Sequence, residues 1–230
     1  MNDCCSVGIN RKGEEMFQTE KPQQDRAYLE MLKPVIRRMS GINIQDMAVK
    51  AGGRLADTGD RIILHTLGKQ VSVRIPECEI DPPLESWHAL VLLHYLINAD
   101  GMPPVGEWIS FEDMRDGLVR GTKFAGSSAR WFRSFLKGKK INGIEAACLA
   151  LGGEITSGRG DSNIRVPFFP NFPMLISLWE ADEDFDATGK ILIDRNADHY
   201  LSIEDEVTVG EFLQKKKKKK HRIINETVPA

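Results

Sequence analysis

Aromatic residues make up only 7% of this 230-residue chain, and just four cysteines and five histidines occur in it. Cys4, Cys5, Cys78 and Cys148 form no C-x-x-C pair, and zinc and iron–sulfur sites are built on such paired spacings. No iron–sulfur cluster is therefore expected on this chain, and unpaired thiols fit a reducing, cytoplasmic setting. No apolar run reaches 18 residues and the first residues lack the apolar stretch of a signal peptide, so no membrane association is predicted. The glycine-rich run GTKFAGSS (121–128) lacks the G-K-[ST] ending and the preceding strand of a phosphate loop. A basic surplus is missing as well. Six of the 31 Lys and Arg residues lie at 215–220, so elsewhere 25 basic residues face 33 acidic ones, a net charge of −8. Nucleic acid is thus not the expected partner, since its binders carry a basic face on the fold itself.

What is present reads as an α+β protein. Residues 1–24 are polar and predicted to be flexible, 25–213 form a single domain, and 214–230 form a lysine-rich flexible tail. Tyr28, Met31, Leu32, Val35, Ile36 and Met39 share one helical face, which Pro34 is expected to kink or split. A short helix follows from Ile44 to Ala51. Arg61–Pro76 reads as a hairpin with a type II′ turn at Gly68-Lys69, which pairs Ile62 with Ile75, Leu64 with Val73 and Thr66 with Val71. Trp87–Ile97 is apolar almost all round, so a buried central helix is predicted at about 86–97. His88 and His94 lie roughly 120° apart on it, unlike a metal-binding i, i+4 pair. They read as core histidines.

Gly106–Phe111 is predicted to be extended, with a capping box at Ser110 and Asp113. Gly117–Ser128 looks irregular, and helices are expected at Ala129–Lys137 and Ile144–Leu151. Three prolines in Val166–Pro173 suit an edge or an irregular stretch. Leu175–Trp179 and Lys190–Asp194 form a second hairpin around an acidic loop, and Thr208 and Glu211 are a capping box for the last helix. The two hairpins would make a small antiparallel sheet packed on several helices.

Residues 180–186 (EADEDFD) place five carboxylates in seven positions. Asp182, Asp184 and Asp186 match the start of a calcium loop, but Ala187 stands where glycine is needed and Ile193 where glutamate is needed. Another hard-cation site would draw on Asp161, Asp182, Asp184 and Asp194; the plainer reading is a solvated acidic loop. Trp179, at a strand end beside acids, is either a pocket wall or a core residue. His199 stands near Glu204 and Asp205 as an acid–base candidate, with no serine or cysteine nucleophile to pair with it.

Taken together, Trp87 with LLHYL (92–96), GEWISF (106–111), Gly152-Gly153, Gly160-Asp161, the proline-rich 166–173, LWEADEDF (178–185), ILIDRNADHYL (191–201) and Glu204-Asp205 resemble the domain-of-unknown-function family 3786. The resemblance covers residues 25–213. It implies a protein of anaerobic bacteria or archaea, where the family is mostly found, and the fusion or proximity of some relatives to iron–sulfur and corrinoid-dependent one-carbon proteins suggests anaerobic cofactor metabolism. The expected function is a ligand-binding or accessory protein of that metabolism, taking an unknown small molecule or protein partner. Trp87, His94, Trp108, Asp161, Trp179, Asp182 and Glu183 are its pocket candidates. A metal-dependent enzyme built on the carboxylates, with His94 or His199 as acid or base, and a protein-interaction module are the alternatives.

Overall fold

A computed structural model describes residues 20–225, with side chains for 26–214. The expectations for residues 1–19 (Cys4 and Cys5 among them), for 226–230 and for the lysine side chains at 215–220 lie outside the described residues. Helix α1, Glu20–Met39, buries Val35 and Met39 and runs unbroken through Pro34. Pro34 is exposed, so its ring and missing N–H are accommodated on the solvent side and the helix is not split. Helix α2, Ile44–Lys50, starts where the Asn43 side chain accepts hydrogen bonds from the N–H groups of Gln45 and Asp46.

Strands β1 (Arg54–Leu55), β2 (Arg61–Thr66), β3 (Lys69–Arg74) and β4 (Glu79–Asp81) form one antiparallel sheet in that order. The hairpin is present, but its register is Ile62↔Val73, Leu64↔Val71 and Thr66↔Lys69. The turn is Leu67-Gly68, with φ of 47° and 72°, a pattern of two positive angles. Tertiary contact selects it. Leu67 is buried and its N–H donates to the Phe168 carbonyl, while a Cβ on Gly68 would meet the Leu151–Gly152 backbone at 3.0–3.1 Å. The expected and observed registers differ by two residues, which preserves the faces. Ile62, Leu64, Thr66, Val71 and Val73 are buried as predicted.

Helix α3, Ser86–Asn98, is the expected buried helix and packs against α1 and α2. Helix α4 spans Gly117–Leu136, so the glycine-rich stretch read as irregular is helical. Its glycines serve a close approach. A Cβ on Gly117 or Gly121 would lie 2.1 or 2.2 Å from the Phe111 carbonyl oxygen, in the 3₁₀ turn Phe111–Asp113 that rests on the helix. That turn begins at Ser110 without a side-chain cap bond.

Helix α5, Asn142–Leu149, precedes a second antiparallel sheet rather than a shared small one. It contains β5 (Trp108–Ile109), β6 (Glu154–Thr156), β7 (Ser162–Phe169), β8 (Phe172–Trp179) and β9 (Thr188–Asp194), in the order β5-β9-β8-β7-β6. The proline-rich stretch is the β7–β8 hairpin end, with Pro167 opposite Pro173. There β7 has passed its last pair with β6 at Arg165, and β8 has not reached its first pair with β9 at Met174. Both prolines are thus locally at an edge, within strands that are interior elsewhere. After a 3₁₀ turn at Ala197–His199, helix α6 runs Ile203–Asn225. Its start is Ser202, not Thr208. The Ser202 carbonyl accepts from the Glu206 N–H and its Oγ donates to Asp205, whereas Thr208 bonds back to Glu204 inside the helix.

The whole is a mixed α+β fold, and among the described residues no helix is long and apolar enough to cross a membrane. Two glycines of one helix should respond oppositely to alanine. Gly121→Ala is expected to cost several kcal/mol, because the clash is with backbone. At Gly126 the nearest atom to a new Cβ is the flexible Arg130 end at 3.6 Å, so Gly126→Ala should be neutral or stabilising by up to about 1 kcal/mol. Urea unfolding of the two variants measures both.

Candidate functional site at the start of helix α6

The segment from β9 to α6, IDRNADHYLS (193–202), alternates between scaffold and site. Asp194 is 1% exposed, and its carboxylate accepts from the N–H groups of Val105 (3.0 Å), Gly106 (2.6 Å) and Asn196 (3.1 Å). Arg195 grips Glu107 through two 2.6 Å bonds, which hold the Glu107 carboxyl below its ordinary range. The Asn196 amide donates to the carbonyls of Met102 and Asn171, and the Tyr200 hydroxyl to that of Met102. These four side chains fasten the loop after α3. Asp198 and His199 instead face a cavity.

That cavity, about 700 Å³, lies between the end of α3 and the start of α6. Arg38, Asp100, Arg115, Asp116, Asp198, His199 and Glu206 contribute to its walls, with Ile97, Leu201 and Ile203 as apolar surface. His199 Nδ1 lies 2.6 Å from Asp100 Oδ2. An ionised carboxylate only accepts, so Nδ1 carries the hydrogen and Nε2 is the nitrogen left for other partners. Burial works against the Asp100 charge. Its hydrogen bonds from His199 and from the Met102 N–H nevertheless hold the carboxyl below the ordinary range. Arg38 is anchored by Asn98 Oδ1 at 3.1 Å, while Arg115 is largely exposed.

Glu206 is the unusual member. It is 1% exposed, lines the cavity, and its buried Oε2 has no hydrogen-bond partner. Burial first, then the nearby charges of Asp198 and Asp205, push its carboxyl up to about 8. It is therefore mainly protonated at neutral pH, able to donate as well as accept.

The residues singled out from sequence are distributed over several places. Asp161, Trp179, Asp182 and Asp184 line a second cavity of about 700 Å³ with Arg133 and the exposed Phe185. Trp179 also lines a narrower slot of about 370 Å³ between α4 and β9. Asp161 accepts from the Glu180 N–H, and Asp182 from those of Asp184 and Phe185, so two of the acids fasten their own loop. Glu183 is exposed on the same loop. Trp87, 39% exposed at the start of α3, and Trp108, opposite Asp194 in β5, line none of these three cavities. His94 lies 2.9 Å from Asp205, beside the α6 site without lining it. His88 is buried, with Nε2 2.8 Å from Thr66 Oγ1, the core role expected of it. Asp194 belongs to the scaffold, apart from the acidic loop with which it was grouped. Among the described residues no three His, Cys, Asp or Glu side chains are placed to hold a metal ion.

The residues missed from sequence are Glu206, Asp100, Asp198, Arg38 and Arg115. One signal was available. Glu206 falls at the head of the stripe Glu206, Val209, Gly210, Leu213, all buried, and an acid on an apolar helical face is an anomaly. Starting the helix at Thr208 hid it.

Two substitutions separate scaffold from site. Asp194→Asn keeps the shape but turns a donor toward backbone donors. It should lower stability by about 2–4 kcal/mol and raise amide exchange at 105–106. For Glu206, the unfolded carboxyl titrates near 4.5 and the folded one near 8. Between those values the unfolded state gives up its proton first, so this group's contribution to stability is intact below pH 4.5 and lost as pH rises to about 8. Glu206→Gln removes that dependence. Its stability relative to the parent should increase by roughly 2–4 kcal/mol from pH 5 to pH 8 in paired denaturation curves.

The family model of a domain of unknown function (DUF3786) matches residues 43–216. No curated protein and no solved structure matches the chain.

Proposed function

The chain belongs to the DUF3786 family, and from the cavity at the start of α6 we propose that it is a small-molecule-binding protein. The observation that carries this reading is Glu206, a buried carboxyl with an unpartnered oxygen on the wall of a cavity of about 700 Å³. Buried polar atoms in folded proteins are nearly always satisfied, so an unsatisfied carboxyl oxygen in a residue that lines a ligand-sized space supports a hydrogen-bond donor on the ligand. The polar groups around it are held by other groups of the protein. His199 is held by Asp100, Arg38 by Asn98, and the loop carrying Asp100 by Asp194 and Tyr200. A preorganised site loses little freedom on binding.

We assign the protein to the cytoplasm and to anaerobic metabolism linked to iron–sulfur and corrinoid proteins. The metabolic setting is what the family resemblance implies and the cytoplasm is what the unpaired thiols suit; neither is drawn from a residue of the cavity. The His199–Asp100 pair and the protonated Glu206 would also suit proton transfer, but binding is what the unpartnered oxygen favours.

Incubation of the purified protein with the small-molecule extract of an anaerobe, followed by desalting and native mass spectrometry, tests the reading. A retained adduct is expected, reduced at least tenfold in Arg38→Ala and in Glu206→Gln. An adduct unaffected by both substitutions, or none at all, would overturn it.

A further inference from the structure

Resting on that reading of the cavity, we infer that the ligand is a small ammonium compound that also carries an anionic group. Its ammonium would sit at Glu206 and Asp198, and its anion between Arg38 and Arg115.

Of the charges around the cavity only Glu206 is buried, at 1% exposure; Asp198, Arg38 and Arg115 are exposed at its rim. Asp100 is occupied by His199 and the Met102 N–H, and Asp116 is nearest to Arg115, at 3.9 Å. Setting those pairs aside leaves Glu206 and Asp198 as the acids in need of a cation. An ammonium offers three donors to an oxygen that has no hydrogen bond, and it offsets the repulsion between Glu206, Asp198 and Asp205. A bare anion at the same place would add to that repulsion. Arg38, held only by the neutral Asn98 amide, supplies guanidinium donors for the other end, and Arg115 adds donors beyond its long contact with Asp116. Ile97, Leu201 and Ile203 give the cavity apolar surface for the ligand's carbon skeleton.

The charges facing Glu206 make the idea distinguishable by proton counting. From α6 itself come Asp205, which is paired with His94 on α3, and Glu204, paired with Arg120 on α4. From the turn before α6 come Asp198 and His199; from the loop after α3 comes Asp100; from α1 comes Arg38, and from the residues just before α4 come Arg115 and Asp116. The carboxyl is mainly protonated at pH 7, and an ammonium beside it favours the ionised form, so binding expels a proton. An anion beside it would do the reverse and draw a proton in at pH 8.

The test uses the full chain with β-alanine as the zwitterionic probe and with n-propylamine and propionate as its single-charge counterparts. Isothermal titration at pH 7 in phosphate and in Tris gives both the affinity and the protons exchanged. β-Alanine is expected to bind at least tenfold more tightly than either counterpart and to release between half a proton and one proton. Glu206→Gln should abolish the release, while Arg38→Ala should weaken binding tenfold and leave the release in place. Parallel amide shifts must fall at 97–100 and 198–206. Propionate binding as well as β-alanine, proton uptake, or no shift with any of the three probes would overturn the ammonium assignment. The adduct experiment on cell extract stands apart from these outcomes. An Arg38- and Glu206-dependent adduct alongside a failed probe series leaves a binding protein for another ligand class, whereas loss of that adduct removes the binding reading itself.

Discussion

The carboxylate of Asp194 is the contact on which this architecture turns. It is buried at the end of a strand and balanced by three backbone N–H groups rather than by a cation. Two of those donors belong to the loop that follows α3, so this side chain helps tie the far end of the buried helix to the second sheet. Such an arrangement is stable only while all three donors stay in place, because each would otherwise leave part of a charge unsatisfied in the interior. Arg195, Asn196 and Tyr200 fix the same loop from either side. A rigid loop is the result, and Asp100 at its start is thereby placed against His199.

The same ten residues that build this clasp also supply the site. A 3₁₀ turn at Ala197–His199 reverses the chain between β9 and α6, so neighbouring side chains point in different directions over a few positions. Asn196 and Tyr200 go inward to the loop while Asp198 and His199 go to the cavity. Behind them the Phe169–Tyr95–Tyr200 stack, with centroids 4.5 and 5.1 Å apart, joins the second sheet, α3 and the turn. The stack buries the base of the turn, while the cavity residues Asp100 and Asn98 themselves hold backbone, through the Met102 N–H and the Tyr200 carbonyl.

Much of the fold was legible in periodicity. The buried helix, the two hairpins and the α+β class follow from alternation and helical spacing, which record burial directly. What misled was chemistry that the tertiary structure decides. Gly68-Lys69 is a sound turn signal, yet the packing of Leu67 under the second sheet moved the turn by one residue. Gly117 and Gly121 read as helix breakers because their purpose, contact with the Phe111 carbonyl, lies in another segment. Thr208 and Glu211 make a capping box as good on paper as Ser202 and Asp205, and only the Ser202 carbonyl bond shows where the helix starts.

The candidate site was less legible for a physical reason. Sequence draws the eye to dense charge, and the five acids at 180–186 are exposed residues whose repulsion water screens. A lone acid at a buried position is the rarer and more costly arrangement, because its ionised form has little solvent to stabilise it. Glu206 is one such acid, and neither its spacing nor its neighbours in sequence set it apart until the helix start is placed correctly. Moving that start from Thr208 to Ser202 puts Glu206 on the stripe with Val209, Gly210 and Leu213, and turns it from a surface residue into a buried one. Whether this chain reads as an acidic loop on a scaffold or as a cavity with a protonated carboxyl thus depends on where one helix begins.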